Sequence, residues 1–121
     1  MIKTLFQCQK GTASSNTFLQ FQVGKIGRDW MILITGGESH IGSFACSNKT
    51  QNEGFIHNLA HHKEDALVTE AFLQLSKLVE NEIIIISGVH YDQIQTDQIQ
   101  SLLQNNRDLI QQTADFFNQL K

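Results

Sequence analysis

The chain has 121 residues, of which 40% are hydrophobic and 17% charged, and its formal net charge is -3. Its nine lysines and arginines are scattered, so no basic stripe exists to neutralise a phosphate backbone, which argues against a nucleic-acid partner. No apolar run approaches the ~18 residues a membrane span needs and no signal-peptide pattern opens the chain, so the expectation is a soluble cytoplasmic protein, one domain over residues 1–121.

Cys8 and Cys46 fall in no C-x-x-C or zinc-knuckle spacing, which fits free thiols in a reducing compartment better than a disulfide framework. Ile2 to Gln9 and Thr17 to Val23 flank a polar cluster with the composition of a turn, and read as a hairpin. In the second strand Leu19, Phe21 and Val23 alternate with Gln20 and Gln22, so those three apolar residues are its buried face. Trp30-Met31-Ile32-Leu33-Ile34 is apolar throughout, the pattern of a central strand covered on both faces. A bend follows, Thr35-Gly36-Gly37-Glu38-Ser39-His40-Ile41-Gly42, and then Ile41 to Cys46 as the return strand. Ser47 to Glu53 reads as loop, and Gly54 to Ala60 as a weak strand or irregular connection.

From His62 the period changes: Leu67, Val68, Ala71, Phe72, Leu75, Leu78 and Val79 recur three and four apart, one face of a helix of about four turns ending near Asn81. Ile83 to Ile86 is the second buried strand, and it ends in Ser87-Gly88-Val89-His90. Two helical patterns follow, Ile94 to Leu103 and Leu109 to Leu120, separated by Asn105-Asn106, with Asn106 as N-cap of the last. The fold class is α+β: a single layer of mainly antiparallel sheet packed with helices.

Histidine stands beside a chain reversal at three places: His40 after Gly36-Gly37, His62-Lys63 at the start of the first helix, and His90 after Gly88. If the Trp30 and Ile83 strands are neighbours, His40 and His90 share one end of the sheet, and the helix entering at Lys63 brings its amides to the same rim. Glycine-loop amides, helix N-terminal amides, an ammonium and imidazoles together suit an anion such as phosphate. Metal is the rival reading, with His40, His57, His61, His62 and His90 as ligands, but no H-x-x-x-H or H-E-x-x-H spacing fixes two of them on one helix face. There is no G-x-S-x-G elbow, no G-x-G-x-x-G fingerprint and no evident acid–base pair of carboxylates, so nothing here spells an enzyme.

The ordered series Thr35-Gly36-Gly37 through His40-Ile41-Gly42, His62-Lys63, and Gly88-Val89-His90 with Gln93-Ile94 resembles the LpdD-like prenylated-flavin chaperone family, small proteins associated with gallate decarboxylase, over about Val23 to Phe117. The resemblance implies a fold similar to the proteasome-assembly chaperones. It also implies a non-enzymatic homodimer that carries reduced prenylated FMN to a UbiD-type aromatic acid decarboxylase. The cofactor-binding candidates are Gly36, Gly37, Ser39, His40, Gly42, His62, Lys63, Gly88 and His90, inferred from motif and chemistry. The isoalloxazine ring needs an apolar wall, which a dimer interface could supply. The alternatives are an interaction or assembly module without a small ligand, using the exposed side of the Leu109 to Leu120 helix or a sheet edge, and a metal-binding protein.

Overall fold

The computed structural model describes residues 2–12, 14–59 and 65–121. Its strands are β1 (Thr4–Lys10), β2 (Leu19–Ile26), β3 (Asp29–Gly37), β4 (Ser43–Asn48), β5 (Glu53–Asn58) and β6 (Ile83–His90), and its helices are α1 (Asp65–Leu75) and α2 (Thr96–Gln119). Short 3-10 turns cover Lys49–Gln51 and Ser76–Leu78. The strands form one six-stranded sheet in the order β1-β2-β3-β6-β4-β5, antiparallel except for the parallel β3–β6 pair. This is the α+β, mainly antiparallel layer the sequence implied.

Both helices cover the same side of that sheet. Register places Phe6 and Cys8 beside Val23 and Phe21, then Ile32 and Ile34, then Ile85 and Ser87, then Ala45 and Ser43, all on one face. Against it pack Leu67, Val68, Ala71 and Leu75 from α1 and Leu102, Leu109, Ile110 and Phe117 from α2, in one buried cluster. Leu19, Phe21 and Val23 are fully buried there, as their alternation required. Each such side chain contributes roughly 1.5–3 kcal/mol through burial. Trp30 closes one end of the core, with Phe117 edge-on at a centroid distance of 5.0 Å.

Several expectations change. Among the described residues, helices cover β3 and β6 on one side only: Trp30, Ile32, Ile34, Ile83 and Ile85 are buried under them, while Met31, Leu33, Ile84 and Ile86 are half-buried on the side that neither α1 nor α2 covers. β4 is not the return strand of β3, because β6 lies between them and pairs with both. The stretch 54–60, whose pattern decides between neither strand nor connection, is a strand through Asn58; β5 is an edge strand exposed at every position, so it shows no alternation of burial. α1 runs from Asp65 to Leu75, and the chain tightens into a 3-10 turn whose neighbourhood is closed by Lys49, with Nζ donating to Ser76 O at 2.7 Å and Val79 O at 3.0 Å.

The two C-terminal helical patterns are one helix of 24 residues, α2. Its start is a capping box in which Gln95 and Gln98 exchange side-chain and backbone bonds. Asn106 is therefore not an N-cap. It lies buried in mid-helix and donates from Nδ2 to Leu67 O of α1 at 3.1 Å, while Asn105 donates to Thr17 O at 2.8 Å. Cross-element bonds thus use the amides that locally read as a break.

Candidate functional site

Parallel pairing of β3 and β6 sets Thr35 opposite Gly88 and Gly37 opposite His90, so both strands end at the same edge of the sheet. From Gly37 the chain turns at a positive φ of 65° and folds back, with Glu38 N donating to His90 O at 3.1 Å and Gly42 N to Ser87 O at 2.8 Å. The 38–42 loop therefore lies directly on β6. A Cβ on Gly88 would overlap the His40 carbonyl, and one on Gly37 would overlap His90 O. Gly36 is held against Phe18 O, and Tyr91 donates its hydroxyl proton to that same carbonyl at 2.5 Å. The close approaches of Gly36, Gly37 and Gly88 are thus set by the protein's own backbone. Gly42 is buried, its amide and carbonyl engaged by Ser87 and Leu59.

What this loop presents outward is an open hollow of about 500 Å³ lined by Glu38, Ser39, His40 and His90. The two imidazoles stand edge to face, 6.2 Å between centroids. His40 Nδ1 lies 3.3 Å from Glu38 O, and His90 Nε2 lies 2.9 Å from the exposed Asp92 carboxylate, which orients the ring. Of the nine candidates, the structure brings Ser39, His40 and His90 together at the hollow, with Gly36, Gly37, Gly42 and Gly88 forming the backbone beneath. His62 and Lys63 lie outside the described residues.

The sequence reading does not single out Glu38 and Asp92. Both carboxylates flank the hollow, so an anion there has to be held by cationic imidazoles or an added cation against two nearby negative charges. A signal for Asp92 exists: it follows His90 by two residues, close enough to reach its ring across a turn.

Below the hollow, on the helix-free face, lie two cross-sheet rows. Register gives His57, Phe44, Ile86, Leu33, Gln22 and Gln7 as one, and Phe55, Cys46, Ile84 and Met31 as the next. Phe44 makes ring contacts with Phe55 at 5.9 Å and His57 at 5.6 Å. The hollow, carried by the loop over Gly88, thus lies on the same face of the sheet as this apolar stretch, which begins at Ile86 two residues before Gly88 on β6, a placement that uniformly apolar strands conceal. Among the described residues no group of three or more His, Cys, Asp or Glu is arranged to hold a metal ion. Cys8 and Cys46 are free thiols; burial pushes both up from the ordinary cysteine value, and Glu82 adds to the rise at Cys46.

The family described as the prenylated flavin chaperone LpdD-like domain matches residues 13–118. The chain belongs to that family. As an LpdD-like domain it carries a family name that couples a chaperone role to a prenylated flavin. No curated protein matches the sequence. Among solved structures it is similar to a chaperone complex for yeast 20S proteasome assembly, with 11% identity, a TM-score of 0.60, and coverage of 98% of this chain and 96% of that one. At that identity the likeness concerns the fold, which the LpdD-like domain shares with a proteasome-assembly chaperone. No helix among the described residues is long and apolar enough to cross a membrane.

Proposed function

We propose that this LpdD-like domain is a non-catalytic carrier that binds reduced prenylated FMN and delivers it to a UbiD-type aromatic acid decarboxylase, working as a homodimer folded as one domain. The observation that supports it most is the presence of a polar hollow and an apolar stretch on one face of the sheet. A flavin mononucleotide is amphipathic in that way, with a phosphate at one end of the ribityl chain and a flat ring at the other. The volume of about 500 Å³ lies within the range of about 300–1,000 Å³ usual for small-molecule sites.

In this reading the Ser39 hydroxyl and the His40 and His90 imidazoles hold the phosphate, with His62 and Lys63 as further candidates, while Gly36, Gly37, Gly42 and Gly88 shape the backbone that positions them. Leu33, Ile86 and Phe44 lie against the ring. The cofactor supplies all the redox chemistry, and the protein binds, orients and shields it. An open hollow suits a carrier, because a cargo that must leave is better held at a surface than enclosed. The protein, mixed anaerobically with reduced prenylated FMN, is expected to co-elute with it on gel filtration and to restore activity to an apo-decarboxylase. No retention at tens of micromolar would overturn the reading.

A further inference from the structure

We propose that the end of the molecule opposite the His40–His90 hollow is a docking site for another protein, and that it takes an acidic segment of that partner carrying one apolar or aromatic anchor residue. The proposal stands on its own residues and does not depend on the carrier reading.

The first observation is where the cations go. The formal charge of the chain is -3, yet five of its nine lysines and arginines gather at the end where β2 turns into β3. Lys25 pairs with Trp30 across the two strands, Lys3 lies against Gly24, and Arg28 occupies the turn, where its carbonyl accepts from Asn81 Nδ2 at 2.7 Å. Lys77 in the 3-10 turn after α1 and Lys121 beyond the end of α2 complete the group. Among the described residues the ion pairs are Lys10–Asp108, His90–Asp92 and Arg107–Glu70, so none of these five cations is matched by a carboxylate.

The second observation is an open hollow of about 840 Å³ between them. Lys25, Lys77 and Lys121 stand on its rim against one carboxylate side chain, Glu80. The carbonyl end of α2 lies at the same rim, but with about half a charge it does not, even together with Glu80, cancel three ammonium groups. The floor is apolar: Trp30 and Phe117 meet edge to face, with the 57% exposed Leu120 beside them. Lys25 Nζ sits 4.7 Å from the Trp30 ring centroid. An ammonium held over an indole by cation–π attraction, on a flexible stem, is a lid that an incoming carboxylate draws outward.

The chemistry of the occupant follows from this arrangement. A small-molecule site fixes its ligand with a few polar groups placed inside it. Here no charged or amide side chain that lines the hollow is buried, and the charges are spread along an open rim. An apolar centre inside a solvated, charged rim is the anatomy of a protein–protein contact, in which a central anchor supplies affinity and the rim steers the encounter. Charge complementarity makes the incoming segment acidic. Trp30 and Gly37 stand seven residues apart on β3, so at about 3.3 Å per residue the docking site lies roughly 23 Å from the start of the 38–42 loop. A partner held there leaves the His40–His90 hollow open.

The test uses the whole chain, whose one tryptophan, Trp30, is the reporter. The probe is a short fluorescein-labelled peptide of aspartate and glutamate around one phenylalanine, and a lysine peptide around the same phenylalanine is its control. Unlabelled acidic peptide is expected to shift Trp30 emission saturably, with half-saturation at tens to hundreds of micromolar in ~20 mM salt and at least tenfold weaker binding in ~200 mM salt. The lysine peptide is expected to leave the emission unchanged. Lys25→Glu with Lys77→Glu, both at exposed positions, is expected to weaken binding at least tenfold by peptide anisotropy at an unchanged melting midpoint. Lys25→Gln with Lys77→Gln gives the same direction should the charge reversal fail to fold, and Leu120→Glu is expected to weaken binding by removing the apolar floor. No saturable binding below ~1 mM, binding that leaves Trp30 emission unchanged, equal binding of the lysine peptide, or undiminished binding in the lysine variants overturns the proposal. Benzoate binding as tightly as the acidic peptide overturns the protein partner and makes the hollow a small-anion site. Retention of reduced prenylated FMN is expected to be unchanged in the lysine variants, and its loss there overturns the separation of the two sites. A wild type that binds the peptide but never retains the cofactor overturns the carrier reading and leaves the docking site standing.

Discussion

Gly88→Ala is the substitution whose effect the geometry defines most sharply. The added Cβ would lie 2.9 Å from His40 N and closer still to the carbonyl carbon and oxygen of the same residue, all of them backbone. No side chain can swing aside. To regain a van der Waals separation of about 3.5 Å the 38–42 loop has to withdraw by roughly 2 Å. That movement breaks the bonds from Gly42 N to Ser87 O and from Glu38 N to His90 O. At about 0.5–1.5 kcal/mol each, their loss costs about 1–3 kcal/mol. For a chain of this length about 1 kcal/mol shifts the melting temperature by roughly 4 °C, so the midpoint is expected to fall by roughly 4–12 °C. The protein remains folded at room temperature, yet His40 is displaced from His90, and retention of reduced prenylated FMN is expected to fall at least tenfold. Circular dichroism melting and anaerobic dialysis measure the two effects separately. Gly27→Ala is the control: it meets no neighbour, but its φ of 61° costs about 1 kcal/mol with no effect on retention. Unchanged melting and unchanged retention in Gly88→Ala would refute the loop-on-strand geometry from which the hollow is built.

His40→Ala with His90→Ala is expected to weaken cofactor retention at least tenfold while moving the melting midpoint by only a few degrees, since both rings sit at the surface of the hollow; dialysis and melting on the same preparation check this. Asn106→Ala removes the bond from Nδ2 to Leu67 O, whose carbonyl keeps its place in the α1 ladder, together with a buried Oδ1 that has no partner, and is expected to cost only about 1 kcal/mol in urea unfolding. The Glu82 carboxylate is held below the ordinary value of 4.5, first by the Ser47 hydroxyl at 2.6 Å and then by Lys49 N. A depressed folded value means stability that is complete above about 4.5 and is lost as the pH falls through the lower folded value, so Glu82→Gln is expected to be less stable than wild type at pH 7 and to converge with it in acid. Cys8, buried beneath α2, is expected to react with iodoacetamide only on unfolding, as mass spectrometry of labelled peptides would show.

The parts of the fold legible in the sequence are those where a local pattern has one physical cause. Leu19, Phe21 and Val23 alternate because one side of β2 is buried, and the strand, its hairpin partner and the buried face follow from that. Strand order is not legible in the same way. β4 follows β3 in the chain, but β6, some forty residues later, takes the place between them, and nothing local encodes that exchange. Asn105 and Asn106 read as a helix break because asparagine favours caps, and that preference is overridden by bonds to Thr17 O and Leu67 O, which lie elsewhere in the chain. Of the site, Gly36, Gly37, His40, Gly88 and His90 stand out by composition and do converge. The glycines suggest room for a ligand, whereas each of the three makes room for protein backbone. The apolar floor is hidden by the same run of residues that marks the strand, because periodicity cannot tell a second buried face from an open one.

Anaerobic gel filtration of the protein with reduced prenylated FMN tests the central claim most directly. Co-elution of the reduced cofactor with the wild type, lost in His40→Ala with His90→Ala, is the expected result. Free cofactor eluting apart from the wild-type protein at tens of micromolar would contradict it.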